Sequence, residues 1–97
     1  MDENSPRFEW DAANRKHLAR HKVSPYEAEQ AILDPNMIVV EVEHIGDEER
    51  SRVVGMTRAG RILALAFTMR SEAIRPITAF DAVPRDQAFY LASKKTL

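Results

Sequence analysis

No cysteine occurs anywhere in the 97 residues, which excludes disulfides and thiolate metal sites and fits a reducing compartment, with the cytoplasm as the expected location. Glycine is scarce as well. Gly46, Gly55 and Gly60 stand isolated, so no glycine-rich phosphate loop can form. Long hydrophobic runs are missing: the longest, residues 37–40 and 62–67, are far too short to span a bilayer, and the opening MDENSPRFEW is acidic and polar where a secretory leader would be basic and then apolar. Ser24, Ser51 and Ser71 lie outside any nucleophile-elbow sequence, which argues against a serine hydrolase. Excess positive charge is also absent. The formal net charge is −1, whereas nucleic-acid-binding domains are usually basic.

What is present is an uneven charge distribution. Residues 1–49 carry five lysines and arginines against twelve acids, and residues 50–97 carry nine against three, so the two halves are near −7 and +6. Such a split permits one basic face on a nearly neutral protein. The length suits a single domain over residues 1–97, able to bury a modest core, with residues 1–6 expected to form a flexible arm.

The stretch RILALAFTMRSEAIRPITAF, residues 61–80, organises the rest. Its first half is apolar at nearly every position and reads as a central strand covered on both faces, followed by a short polar break at 69–72 and a second strand over 73–80. Pro76 removes a ladder donor there and implies an edge or a bulge. Upstream, residues 7–10 alternate as a short edge strand with Phe8 and Trp10 on one face, and Trp10 is expected in the core. Asp11 is an N-cap for a helix over 12–22 with a basic side. Ser24-Pro25-Tyr26-Glu27 combines an N-cap, a first-turn proline and a capping box, so a second helix starts there and stops before Pro35. Residues 37–43 alternate as a strand with one face in the core, 44–49 form an acidic loop, and 50–56 form a strand with Arg50 and Arg52 on one face. Pro84 opens a closing helix over 85–95. The expected fold is α+β in two layers: two N-terminal helices, an antiparallel meander of about four strands beside a short first strand, and a C-terminal helix.

Two constellations could carry chemistry. His17 and His21 are four residues apart on one helix, a spacing that can serve a metal, but no glutamate lies between them and His44 has no reason to converge; no metal and no cofactor is expected. The arginines are the better candidate. A guanidinium keeps its charge and grips phosphate in two-point fashion, so arginines on adjacent strands can hold an RNA backbone and stabilise charge in a phosphorane-like transition state. Metal-independent RNA cleavage then needs only groups to move protons, and His21, Glu49, Glu72 and Tyr90 qualify by type. The plain structural alternative is that Arg50 and Arg52 pair with Glu41 and Glu43 across the neighbouring strand.

Phe8-Glu9-Trp10-Asp11, the basic helix ending in His21, Val23-Ser24 before a Glu-Ala helix that closes with Asp34-Pro35, Glu48-Glu49-Arg50, Gly55, Gly60-Arg61, Phe67-Thr68-x-Arg70 and Ile74-Arg75 occur in an order that resembles the BrnT family of bacterial toxins. The resemblance spans residues 8–90. It implies a RelE-like ribonuclease fold, a cognate antitoxin carrying a ribbon-helix-helix DNA-binding domain, RNA as substrate, and DNA contact only through the antitoxin. On the matching positions it implies a catalytic set of Arg70, Arg75 and either Glu49 or His21. RNA contacts are expected from Arg50, Arg52, Arg61, Arg85 and Tyr90. The chain departs from the family pattern at Ile77-Thr78-Ala79-Phe80, where the family has an arginine in place of Phe80, and in a less basic last helix. Hence a second expectation: a member of the fold that has lost cleavage and serves as a protein-binding module for the ribbon-helix-helix partner.

Overall fold

The computed structural model describes residues 6–94. Within them the order is β1 (Arg7–Phe8), α1 (Ala12–Ala19), α2 (Pro25–Ile32), β2 (Ile38–Ile45), β3 (Glu48–Met56), β4 (Ile62–Arg70), β5 (Ala73–Asp81) and α3 (Pro84–Lys94). The strands form one sheet in the order β1-β5-β4-β3-β2, parallel between β1 and β5 and antiparallel elsewhere. This is an α+β domain of three helices and five strands. Residues 1–5 and 95 of the expected arm and last helix lie outside the described residues.

Successive residues of a strand point to opposite faces, and β3 makes the division plain. Val53 packs with Leu18, Val23, Ala28, Ala31, Ile32, Leu63, Leu65 and Ala79 under α1 and α2. Val54 packs with Tyr90 and Ala82 on the other side, beside Ile38, Met56, Ile62 and Ala64. So α3 does not join the first two helices, as a two-layer arrangement would have it. It crosses to the opposite face and covers only one end of the sheet. The expectation that β4 is covered on both faces therefore holds for its first half alone: Leu63 and Leu65 are buried under α1 and α2 and Ile62 and Ala64 pack, partly buried, beside Val54, Ala82 and Tyr90 on the other face, whereas Arg70 further along that face is exposed. The remainder of that face is open.

Local signals explain most boundaries. Ser24 Oγ accepts the Glu27 N–H at 3.1 Å and Glu27 Oε1 accepts the Ser24 N–H at 3.0 Å, the reciprocal cap that the sequence announces for α2. Asp11 and Asn14 make the same exchange at α1. That helix stops at Ala19 and not at residue 22, because Lys22 turns left-handed (φ 57°) and its N–H bonds Ala19 O while the Val23 N–H bonds Leu18 O, a Schellman closure that sends Val23 into the core. Trp10 is partly buried against the core and donates from Nε1 to Glu29 Oε2 at 2.8 Å.

Pro76 sits at both features it implies. The β4–β5 register slips between Ala66, opposite Thr78, and Phe67, opposite Pro76, so Ile77 is the extra residue of a bulge. Beyond Ile74 the outer side of β5 has no strand partner among the described residues, and Asn14 Nδ2 donates to Pro76 O at 3.0 Å. Two expectations fail on the other side of the sheet. The acidic segment 44–49 is not a loop, because β2 runs to Ile45 and β3 begins at Glu48 around a two-residue turn led by left-handed Gly46 (φ 61°). Nor does β2 have a continuous core face: Ile38 packs against the Val54–Tyr90 cluster, but the strand is an edge with its register broken at Val40, and Val39, Val40, Val42 and Ile45 are exposed.

The β4–β5 turn carries Ser71 and Glu72 at φ 52° and 66°, a conformation that a type I′ turn requires and that these two residues adopt at a cost. Replacing the pair with Asn-Gly should raise stability by about 1 kcal/mol, read as a higher melting temperature. A lower one would show that the turn is set by other contacts.

Candidate functional site

Residues directly opposite each other on neighbouring strands share a face, so the register alone assembles the site. Arg50 of β3 lies opposite Thr68 of β4, which lies opposite Arg75 of β5. Arg52, Ala66 and Thr78 form the next row, and Val54, Ala64 and Phe80 the row after that, towards α3. Arg70 is two residues beyond Thr68 on the same face. Arg50, Arg52, Arg70 and Arg75 thus occupy the face that α3 leaves open. Helix α1 borders it along the strand-free side of β5, and a cleft there is lined by His17, Glu48, Arg50, Thr68, Arg70 and Arg75.

Carboxylates hold the arginines in place. Glu9 Oε1 accepts from Arg70 Nη1 at 3.2 Å and from Arg75 Nη1 at 3.0 Å, so one side chain positions both. Arg75 Nη1 also lies 2.9 Å from Asp11 Oδ2, and its side chain is only 14% exposed. The hydrogen bond to Asp11 raises the Arg75 pKa further, against the opposing effect of burial. In return Asp11 is held below the ordinary carboxylate range, first by the Asn14 N–H and then by Arg75. Arg50 Nε donates to Glu48 Oε1 at 2.8 Å. Arg52 lies 4.0 Å from Glu41 and 3.8 Å from Glu43, the cross-strand pairing expected of a solvated sheet, whereas Arg50 takes Glu48 instead. Arg50 and Arg70 keep 38% and 54% of their side chains exposed, which leaves guanidinium surface to meet an anion.

The other sequence candidates go elsewhere. Glu49 lies opposite His44, on the face away from Arg50, with Oε2 3.8 Å from His44 Nε2. Because β3 starts at Glu48, strand alternation brings Glu48 to the arginines and turns Glu49 away. Arg61 is a structural tie: Nε donates to Asp81 Oδ1 at 2.7 Å, Nη1 to Lys22 O at 2.7 Å and Glu27 Oε2 at 3.1 Å, and Nη2 to His21 O at 3.3 Å. Arg85 is exposed in the first turn of α3, away from the arginine cleft. Tyr90 is buried with its O–H donated to Asp34, and burial together with that carboxylate pushes its pKa up to about 12. Glu72 is in the β4–β5 turn. His21 stands at the end of α1 with its ring 5.8 Å from that of Phe80 and 6.2 Å from that of His17. Among the described residues no group of three or more His, Asp or Glu side chains could hold a metal ion.

The network around Arg61 gives a pH prediction. Glu27 is held below its ordinary 4.5, mainly by the Ser24 N–H and then Arg61, and Asp81 is held below 3.8 by Arg61. The sign follows: a carboxyl with a lowered folded pKa contributes its full stabilisation above the unfolded value and loses it as the pH falls through the folded one. Arg61→Met should cost about 2 kcal/mol near neutral pH, and the gap to the unaltered protein should shrink below about pH 4. Melting curves from pH 7 to pH 2.5 test this, and a gap that stays constant would contradict it.

Sequence reasoning missed His17, Glu9, Glu48 and Thr68 as neighbours of the arginines. His17 carried a signal, since it is one turn before His21 on the same helix. Glu9 carried none, because its partners are 61 and 66 residues away in the chain.

A face of arginines beside an imidazole and a carboxylate is suited to a phosphodiester. The family model described as the ribonuclease toxin, BrnT, of a type II toxin-antitoxin system matches residues 10–86. The chain belongs to the BrnT family. Among curated proteins none matches it. Membership of this type II family brings an antitoxin partner. The BrnT match runs from Trp10 to Asp86 and so contains all four arginines of the open face. Among the described residues no helix is long and apolar enough to cross a membrane.

Proposed function

We propose that the protein is a metal-independent endoribonuclease toxin that cleaves RNA on the open face of its sheet. The observation that carries this reading is the meeting of Arg50, Arg70 and Arg75 on one face and in one cleft. Arg50 and Arg70 hold the scissile phosphate, and Arg75, tied to Glu9 and Asp11, fixes the position of Glu9 and through it Arg70. Two proton carriers flank them, Glu48 on the β3 side and His17 on the α1 side, beyond β5. The RNA 2′-oxygen attacks phosphorus while Glu48 takes its proton. The bond from phosphorus to the 5′-oxygen breaks, and protonated His17 gives a proton to that leaving oxygen. The products are a 2′,3′-cyclic phosphate and a free 5′-hydroxyl. These assignments replace Glu49 and His21 of the sequence reading, because strand alternation and the cleft favour their neighbours.

The finer reading continues from the family. The fold is of the RelE-like kind, the partner is a ribbon-helix-helix antitoxin through which the complex represses its own operon, and both work in the cytoplasm. One observation favours the second reading of a non-cleaving binding module: Arg75 is enclosed by two carboxylates, and Phe80 stands where the family has an arginine. Induced expression separates them. Growth arrest that is relieved by Arg70→Ala and by Arg50→Ala supports the enzyme, whereas unaffected growth with intact RNA and folded protein supports the binding module.

A further inference from the structure

We infer that the open face also carries a nucleobase subsite, built on Phe80 and selective for guanine; this rests on the reading of the protein as an RNA-cleaving toxin. Phe80 is half-buried on the same face as Arg50 and Arg52, two rows from Arg50 in the register. At about 3.3 Å per residue, that places it about 13 Å along the strands from Arg50, within reach of a flanking nucleotide. The floor beside it is made of the small, partly exposed side chains Ala64, Ala66 and Thr78, which line one small groove together with Phe80. His21 packs against Phe80 at 5.8 Å between ring centroids and holds its orientation from the α1 side. A structural sheet face does not need an aromatic beside a floor of small side chains. An unstacked base does, because single-stranded RNA is read by stacking on aromatic rings and by hydrogen bonds to the base edge.

The edge reader is Asp86, which lines the same groove from the first turn of α3. Its carboxylate has no hydrogen bond or ion pair among the described residues, although Arg52 lines the groove as well. A carboxylate accepts only, and its two oxygens match two adjacent donors. Guanine alone offers such a pair on its Watson–Crick edge, N1–H beside the N2 amino group. Adenine and cytosine present one amino donor next to an acceptor, and uracil presents one imino N–H between two acceptors that the carboxylate repels. Stacking on Phe80 therefore supplies affinity for any base, and Asp86 supplies the choice. Arg52, beside them, meets the phosphate of the same nucleotide.

The test uses the full chain and hexaribonucleotides carrying 2′-O-methyl groups at every position, so that binding is measured without cleavage: UUUUUU and its variants with a single G, A or C at the third position. Fluorescence anisotropy should show the G-containing oligomer bound about tenfold more tightly than the other three. Phe80→Ala should weaken all four by about tenfold. Asp86→Asn, which keeps a side chain acceptable in the first turn of a helix, should remove the advantage of G over the A, C and U oligomers. If the oligomers bind and lose affinity in Arg50→Ala but are indifferent to Phe80→Ala and Asp86→Asn, the subsite is refuted and RNA binding by the arginine face stands. If none of the four binds the folded, unaltered protein, the RNA reading falls and the subsite with it.

Discussion

Gly55→Ala should leave little folded protein. Gly55 is buried in β3 beneath α2, and a Cβ built on it would lie 2.0 Å from the Ala31 carbonyl oxygen and 2.8 Å from the Ala31 carbonyl carbon. Those are helix backbone atoms, which cannot swing aside as the end of a side chain would, so α2 must move off the sheet as a unit. The residues it would uncover, Ala28, Ala31 and Ile32 with Val53 and Leu63, are the centre of the main core. A loss of 3 kcal/mol or more is expected, at or above the upper end of ordinary overpacking, and for a domain of this size that removes much of the total stability. Gly46→Ala is the control, since nothing lies within 4 Å of its added Cβ and only its left-handed φ is compromised; it should cost about 1 kcal/mol. Urea denaturation measures both. A Gly55→Ala midpoint equal to that of Gly46→Ala would mean that α2 and β3 are not in such close contact.

Arg70→Ala and Arg50→Ala should each lower the rate of RNA cleavage by about a hundredfold or more while leaving the melting temperature nearly unchanged, because each removes a cation aimed at the developing charge on phosphate. Both side chains are partly exposed and their ion pairs with Glu9 and Glu48 are of the solvent-screened kind that adds little to stability. Arg61→Met should do the reverse, with stability lost and the rate of the folded fraction retained, since its guanidinium ties Glu27 and Asp81 and stands outside the arginine cleft. The opposite pattern, a normal rate in Arg70→Ala and a lost one in Arg61→Met, would place the chemistry elsewhere.

Much of the fold was legible because it is written in short-range signals. Ser24-Pro25 and Glu27 fix the start of α2 through bonds three residues long, and the apolar run 62–67 names the central strand. Pro76, having no N–H, announced the bulge. What could not be read depends on the third dimension. No periodicity says which face of the sheet α3 takes, yet that choice exposes the arginine face. The phase of β3 depends on a two-residue turn at Gly46, and a single-residue error there exchanges Glu48 for Glu49 at the site. Edge strand β2 looks from its pattern like half-core, but position in the sheet leaves Val39 and Val42 exposed. The arginines themselves were visible from composition, whereas the carboxylates that hold them, Glu9 and Asp11, came from a segment that only the parallel pairing of β1 with β5 carries to them.

The most direct test is to incubate the purified protein, freed of its antitoxin, with single-stranded RNA in the presence of a chelator and to identify the new ends. Cleavage that persists in the chelator, with 2′,3′-cyclic phosphate and 5′-hydroxyl ends, and that disappears in Arg70→Ala is the expected result. RNA left intact by folded protein, or cut only when a divalent cation is restored, would contradict it.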